Sequence, residues 1–109
     1  MKVVRNSIIP FKGFSAINIC GVLFAQPTAR ISDTTICHES IHTAQMQELG
    51  YALFYVLYFA EWLVRLFQYR FTHAAYRNIS FEREAYSHEK EPQYLGARKR
   101  WAWVQYVIV

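Results

Sequence analysis

A His-Glu-Ser-Ile-His run at residues 38–42 is the part of this chain whose residue types and spacing suit chemistry. On an α-helix, His38 and His42 lie one turn apart on one face, so two imidazole nitrogens can reach the same metal ion. Glu39 points to the adjacent flank, where its carboxylate can contact a metal-bound water without ligating the metal. Neutral nitrogen ligands leave zinc Lewis-acidic, and a carboxylate can then take the proton from its water. The run therefore predicts a zinc site.

A catalytic zinc needs a third protein ligand and an open fourth position. The downstream candidates are His73, Glu82, Glu84, His88, Glu89 and Glu91. Glu82 and Glu84 lie on one predicted helix and are two residues apart, so their side chains point about 200° from each other. Only one of them can face the histidine pair.

Glu82 is the favoured third ligand. Ala85 and Tyr86 follow it at three- and four-residue spacing on the same face, where the small alanine allows close approach to the first helix. Glu84 shares its face with His88, and we expect that surface to be more polar and solvated. Glu84 is the alternative ligand.

The two segments together resemble the gluzincin group of zinc metallopeptidases, and the one-domain size is similar to that of the minimal members called minigluzincins. Gluzincins carry His-Glu-x-x-His on one helix and a Glu ligand on a later one, in many cases three residues before an Ala. The resemblance implies that Glu39 is the general base and that Glu82 is the third ligand. In those families an Asp four residues after the ligand often braces a zinc histidine. Tyr86 occupies that place here, and if Glu84 were the ligand, the counterpart would be His88.

The resemblance also implies how a peptide would be held. Substrate would bind along an edge strand beside the motif helix, which residues 15–25 could supply by strand addition. A Tyr or His outside the ligand set would stabilise the oxyanion or brace the ligands. The candidates are Tyr86, His88, Tyr76 and His73.

The elements that must position these residues indicate a single small α+β, zincin-like domain: an N-terminal β-hairpin or short sheet followed by about three helices. Its predicted parts are strands in 1–31, the histidine-bearing helix at 33–49, an apolar helix at 51–70, the third-ligand helix at 80–90 and a basic, aromatic tail at 98–109. Ser32, Asp33 and Thr34 offer N-caps for the first helix, and Gly50 is either its stop or a kink in one longer helix. Ser80 is the expected N-cap of the third helix, and the tail is a strand or a helical turn.

The apolar helix at 51–70 has two contrasting sides. A stripe with polar tips runs through Tyr51, Tyr55, Tyr58, Glu61 or Trp62, Arg65 and Tyr69. The opposite, apolar side is formed by Leu53, Leu57, Ala60, Val64 and Phe67. Glu61 and Arg65 are spaced to form an i,i+4 ion pair. The uncharged run covers only 51–60, well short of the ~20 apolar residues of a membrane span. We expect a core helix, with peripheral membrane contact as the open alternative.

Composition narrows the classes of partner. The chain has 109 residues, 53% apolar and 17% aromatic, with a net charge of +4. Its one dense basic cluster, 98–100, is too small for a nucleic-acid footprint, so no nucleic-acid partner is expected. So many rings in a small domain predict an aromatic surface that meets a partner, a membrane or a second copy. The start does not have the pattern of a signal peptide. We therefore expect a cytoplasmic protein with Cys20 and Cys37 as thiols, and membrane association is the open alternative.

Two functions follow from these features. The leading hypothesis is a small metallopeptidase that hydrolyses peptide bonds of a peptide or protein substrate with Zn²⁺ and Glu39. The alternative is a non-catalytic, metallopeptidase-like domain that binds a protein partner or the membrane surface. An intact Glu39 favours the first, since a purely structural metal site needs no base.

Overall fold

A computed structural model describes residues 1–8 and 15–108, and it has the predicted α+β class: a three-stranded sheet followed by helices. The strands are β1 (Lys2–Arg5), β2 (Ala16–Ile19) and β3 (Val22–Ala25). The helices are α1 (Asp33–Glu48), α2 (Ala52–Tyr69), α3 (Thr72–Arg77), α4 (Ser80–His88) and α5 (Tyr94–Ala97), and a 3-10 helix covers Ala102–Tyr106. The short α3 and α5 exceed the predicted number of helices. Most of the sequence between β1 and β2 lies outside the described residues.

The sheet has the strand order β1-β3-β2, so β2 lies at an edge. β2 and β3 form an antiparallel hairpin, whereas β1 pairs with β3 in parallel. The two residues of the hairpin turn, Cys20 and Gly21, both have positive φ (50° and 89°), as a type I′ turn requires. On one face of the sheet Leu23 and Ala25 are fully buried. That face packs towards the helices.

α1 and α2 are separate helices, and Gly50 lies between them. The Oγ of Ser32 accepts a hydrogen bond from the amide of Thr35 at 3.1 Å and so caps the start of α1. Gly50 and Tyr51 both adopt positive φ after its end, and the axes of the two helices differ by 111°. Gly50 therefore stops α1 rather than kinking a longer helix.

α2 turns its polar-tipped stripe towards the rest of the domain. Arg65 is buried and forms the predicted ion pair with Glu61 at 3.2 Å. Glu61 also accepts hydrogen bonds from the amide and hydroxyl of Ser80, both at 2.6 Å. The N-cap position of α4 is Ile79 rather than the predicted Ser80, and a carboxylate from α2 does the capping. α2 thereby fixes where α4 begins.

The hydrophobic core lies between α1, α2 and α4. Met46, Leu49, Phe54, Ile79 and Phe81 form its buried cluster, and Trp103 of the C-terminal 3-10 helix packs against it. Within the described ranges no single helix is long and apolar enough to cross a membrane. The bent pair of α1 and α2 passes that test only jointly, by length and composition.

Candidate metal centre

Three buried side chains from two helices converge on one point. His38 and His42 lie in α1, and Glu82 lies in the first turn of α4. Glu82 Oε1 is 3.0 Å from His38 Nε2 and 3.1 Å from His42 Nε2, and the two nitrogens are 3.1 Å apart. A tetrahedral zinc with bonds of about 2.0–2.1 Å holds its ligand atoms about 3.3 Å apart. The three atoms are therefore spaced so that a small adjustment lets them hold a metal ion.

The hydrogen bonds of Gln45 determine which nitrogen of His42 faces this centre. Gln45 Nε2 donates to the carbonyl of Phe81 at 3.0 Å and to Glu84 Oε1 at 2.9 Å, and both partners are acceptors only. Gln45 Oε1 must therefore face His42 Nδ1, 2.8 Å away, and accept its proton. In the neutral imidazole this leaves the lone pair of Nε2 directed at the centre, which is the form a metal ligand needs.

Neighbouring side chains also lie beside the outward-facing atoms of His38 and Glu82. Glu89 Oε1 lies 3.6 Å from His38 Nδ1, which is beyond hydrogen-bonding distance. The hydroxyl of Tyr58 in α2 donates to Glu82 Oε2 at 2.5 Å and leaves Oε1 for the centre. Each of the three side chains thus presents one atom to the centre, and hydrogen bonds from neighbours hold the other polar atom of His42 and of Glu82.

Electrostatics at the centre favour a cation. Burial alone would lower the pKa of His42, but the carboxylate of Glu82 beside it outweighs burial and raises that pKa to about 9. Burial likewise acts to raise the pKa of Glu82, yet the charge of His42 and hydrogen bonds from His38, His42 and Tyr58 hold it well below its usual range. The raised pKa of His42 favours its protonated form at neutral pH, so a metal bound there would compete with that proton.

Zinc affinity should accordingly rise about tenfold per pH unit between pH 6 and 8, because the proton on His42 competes with the metal below about pH 9. The measurement is competition with a chromophoric chelator, corrected for the chelator's own protonation. The His73→Ala variant, which lacks an exposed histidine outside the centre, should show the same slope. A pH-independent affinity would contradict the protonation state assigned to His42.

Gln45 gives a second prediction about the same ligand. Gln45→Ala should weaken zinc binding about 10- to 100-fold, because His42 loses the acceptor that orients its ring. Gln47→Ala is the matched control, since Gln47 lies on the exposed side of the same helix and should leave affinity unchanged. Equal affinities of the two variants, measured by zinc titration, would show that Gln45 does not position His42.

A cleft of about 260 Å³ opens on the centre and is bordered by the edge strand. Its lining residues come from β2, α1, α2 and α4: Ala16, Ile17, Asn18, Glu39, His42, Met46, Phe54, Tyr55, Tyr58 and Glu82. In β2, alternate residues direct their backbone groups away from β3. Tyr55 OH donates to the carbonyl of Asn18 and accepts from the amide of Cys20, so these two residues face outward. By the same alternation, the backbone of Ala16 faces outward beside the cleft.

Glu39 lies at the junction of this cleft and a second one. The second cleft, about 180 Å³, is lined by Thr35, His38, Glu39, Tyr76, Tyr86 and Glu89. The hydroxyls of Tyr76 and Tyr86 are 3.0 Å apart, and the ring of Tyr86 packs edge-on against His38 with 4.5 Å between centroids. Tyr86 therefore supports a histidine of the cluster through its ring, while its hydroxyl bonds to Tyr76 rather than to Glu82.

The two histidines proposed beside the ligand set lie elsewhere. His73 is exposed in α3, and its ring lies 6.0 Å from that of Tyr76. His88 stacks on Tyr94 with 3.7 Å between ring centroids and contacts Tyr106 OH at 2.9 Å. Neither is among the residues that line the two clefts at the centre.

Glu84 is fully buried, contrary to the solvated surface expected for it. Arg98 contacts its carboxylate with Nε at 2.6 Å and Nη2 at 3.1 Å, and Tyr94 OH donates to it at 2.7 Å. Arg98 also pairs with Glu48 at the end of α1. Glu84 thus supports the amide of Gln45 from the side away from the centre and ties α4 to the C-terminal segment.

Gln45 and Tyr58 are the residues at the centre that sequence reasoning did not find. Gln45 lies three residues after His42, a spacing at which side chains on a helix meet. The sequence could therefore have predicted their contact. Tyr58 belongs to the polar-tipped stripe of α2, but only the packing of α2 on α4 shows which tyrosine reaches Glu82.

Comparisons with known proteins identify no relative: no family model matches the chain, and no curated protein or solved structure is significantly similar to it.

Proposed function

We propose that this chain is a zinc-dependent metallopeptidase whose centre is His38, His42 and Glu82. The observation that carries the proposal is the convergence of three buried ligand atoms, all within 3.1 Å of one another, at the wall of a cleft. The resemblance of the two motif segments to gluzincins points the same way.

The number of metal-ligating side chains at the centre favours a catalytic metal site over a structural one. Structural zinc sites are closed by four protein ligands, whereas catalytic sites have three and keep a position open. Among the described residues, three metal-ligating side chains meet at this centre. A cleft opens beside them, so a substrate can reach the remaining position.

The residues around the centre would have different roles in hydrolysis. Zinc, when bound, supplies Lewis acidity that makes water nucleophilic at neutral pH. Glu39, at the junction of the two clefts, takes the proton of the attacking water and passes it to the leaving amine. Burial and the neighbouring Glu82 raise the pKa of Tyr58 well above its usual range, so its hydroxyl stays protonated and keeps Glu82 in place.

The substrate would lie along the edge of the sheet. The outward-facing backbone of Ala16 can pair with an extended peptide by strand addition, which brings the peptide across the mouth of the cleft. Further along β2, Tyr55 occupies the outward positions at Asn18 and Cys20 and would end the pairing there. The proposed substrate is thus an extended segment of a peptide or protein.

The test measures zinc and hydrolysis together. The purified chain should bind one equivalent of zinc and cleave members of an unstructured peptide library, and His42→Ala should lose both properties. His73→Ala should retain both, because His73 is an exposed histidine outside the centre. Zinc bound without any hydrolysis would favour the non-catalytic alternative. Equal zinc content in His42→Ala and the parent would contradict the metal site.

A further inference from the structure

The outer face of α2 is apolar along its whole length. Large side chains at three- and four-residue steps are 46–89% exposed there: Leu53, Val56, Phe59, Leu63, Val64 and Phe67. Monomeric proteins rarely expose a continuous apolar surface of this kind unless it contacts something. We name these six residues the α2 outer face.

The two charged residues of α2 lie on its opposite side. Glu61 bonds to Ser80 of α4, and Arg65 bonds to Glu61 and to the carbonyl of Val107. The protein-facing side of α2 therefore combines these two charged groups with core residues such as Phe54, and the outward face is apolar as well. An ordinary surface helix of a water-soluble domain would carry polar residues on its outward face.

The C-terminal segment packs mainly on α4 and carries further exposed apolar side chains. Its start is tied to the end of α1 by the amide of Trp101 on Glu48, and its end is tied to α2 by Arg65 on Val107. Trp101, Val104 and Ile108 are 40%, 50% and 93% exposed along this path. These three side chains add to the exposed apolar area of the domain.

Exposed cations lie at both ends of this surface. Lys99 and Arg100 precede Trp101 near the start of α2, and Arg70 follows its last residue. Across the described residues, eight cations are exposed, namely Lys2, Arg5, Arg30, Arg70, Arg77, Lys90, Lys99 and Arg100. Of the acidic residues described, Asp33 is exposed and the side chain of Glu91 is 46% exposed. Folding therefore turns most carboxylates inward and leaves a surface more cationic than the net charge of +4 suggests.

We propose that the α2 outer face docks the protein onto the surface of an anionic lipid bilayer, with α2 lying in the plane of the interface. The apolar side chains would enter the acyl boundary, and the cations at its two ends would meet lipid headgroups. A second copy of this chain is the less suitable occupant, because its surface carries the same excess of positive charge and would repel. The inference is independent of the metal centre.

The test is co-sedimentation of the full chain with vesicles. The protein should bind vesicles of phosphatidylcholine with 30% phosphatidylserine, and much less to pure phosphatidylcholine vesicles, with binding to the anionic vesicles weakened by salt. Phe59→Glu combined with Phe67→Glu should reduce binding at least tenfold. Both side chains are mostly exposed, so the fold should survive, and circular dichroism checks this. The control for a single apolar-to-acidic change is Ile8→Glu at an exposed residue after β1, compared with Phe67→Glu alone, and it should reduce binding less.

Two charge-reversal double variants distinguish the effect of cations beside the α2 outer face from the effect of the overall net charge. Lys99→Glu with Arg100→Glu should weaken binding to anionic vesicles by roughly 30-fold or more, the effect of losing two cations next to the surface. Lys2→Glu with Lys90→Glu changes the net charge equally, at exposed residues in β1 and after α4, and should have the smaller effect. Equal effects of the two pairs, or no binding to anionic vesicles, would overturn the proposal. So would a stable dimer in sedimentation velocity that Phe59→Glu and Phe67→Glu together dissociate.

Discussion

Glu39→Gln should abolish hydrolysis while leaving zinc binding intact. An amide of the same shape cannot accept the proton of the attacking water, and general-base catalysis contributes about 10²–10⁴-fold to such reactions. Glu39 is not among the three residues that could hold the metal, so the zinc content should stay at one equivalent. The measurement is the turnover of a peptide that the parent cleaves, together with elemental analysis of both proteins.

Asp33→Asn is the matched control for Glu39→Gln. It makes the same acid-to-amide change on α1, but at an exposed residue in the first turn, and should leave turnover unchanged. Full activity of Glu39→Gln would exclude the proposed mechanism. Loss of zinc from that variant would instead assign Glu39 to the metal site.

Arg98→Ala should lower the free energy of unfolding by about 3–5 kcal/mol. The side chain of Arg98 is 5% exposed, and its removal leaves the fully buried carboxylate of Glu84 without its counter-charge. Breaking a buried pair by removing one partner has a cost of this size because the remaining charge stays desolvated. Lys99→Ala, at the adjacent exposed residue, should change stability by about 0.5 kcal/mol or less.

Acidification supplies an independent check on this ion pair. Burial acts to raise the pKa of Glu84, but hydrogen bonds from Arg98, Gln45 and Tyr94 outweigh it and hold the pKa below the ordinary value of 4.5. A carboxyl whose pKa is lowered on folding stabilises the fold above its unfolded pKa and loses that contribution as pH falls through the folded pKa. The stability difference between Arg98→Ala and the parent, from urea unfolding, should therefore shrink below about pH 4.5. A difference that stays constant down to pH 3 would show that Arg98 acts by packing alone.

Local features of the sequence determined the histidine pair and the helix that bears it. His38 and His42 are four residues apart, Ser32 caps the helix and Gly50 stops it, and each of these signals acts within one or two helical turns. The Glu61–Arg65 pair was predictable for the same reason. The hairpin of β2 and β3 also depends on two adjacent turn residues. In each case the interacting groups are close in the chain.

Tertiary structure decided which distant groups meet. Glu82 and Glu84 are both buried, so burial does not distinguish them; Glu82 joins the histidines, whereas Glu84 pairs with Arg98. Helical geometry predicted that the two point in different directions, but not that a cation from the C-terminal segment would cover the second. That pairing depends on the path of the chain after α4, which no short-range pattern encodes.

The orientation of α2 was the other outcome that the sequence left open. The helical period separates its apolar side from its polar-tipped side but does not say which one faces the protein. The polar-tipped side faces inward because its polar groups bond to α4. Tyr58 donates to Glu82, and Glu61 accepts from Ser80. Buried polar groups require such partners, and the partners lie about 20 residues away. Short-range spacing thus determined the faces of each helix, and the satisfaction of buried polar groups decided how those faces were paired.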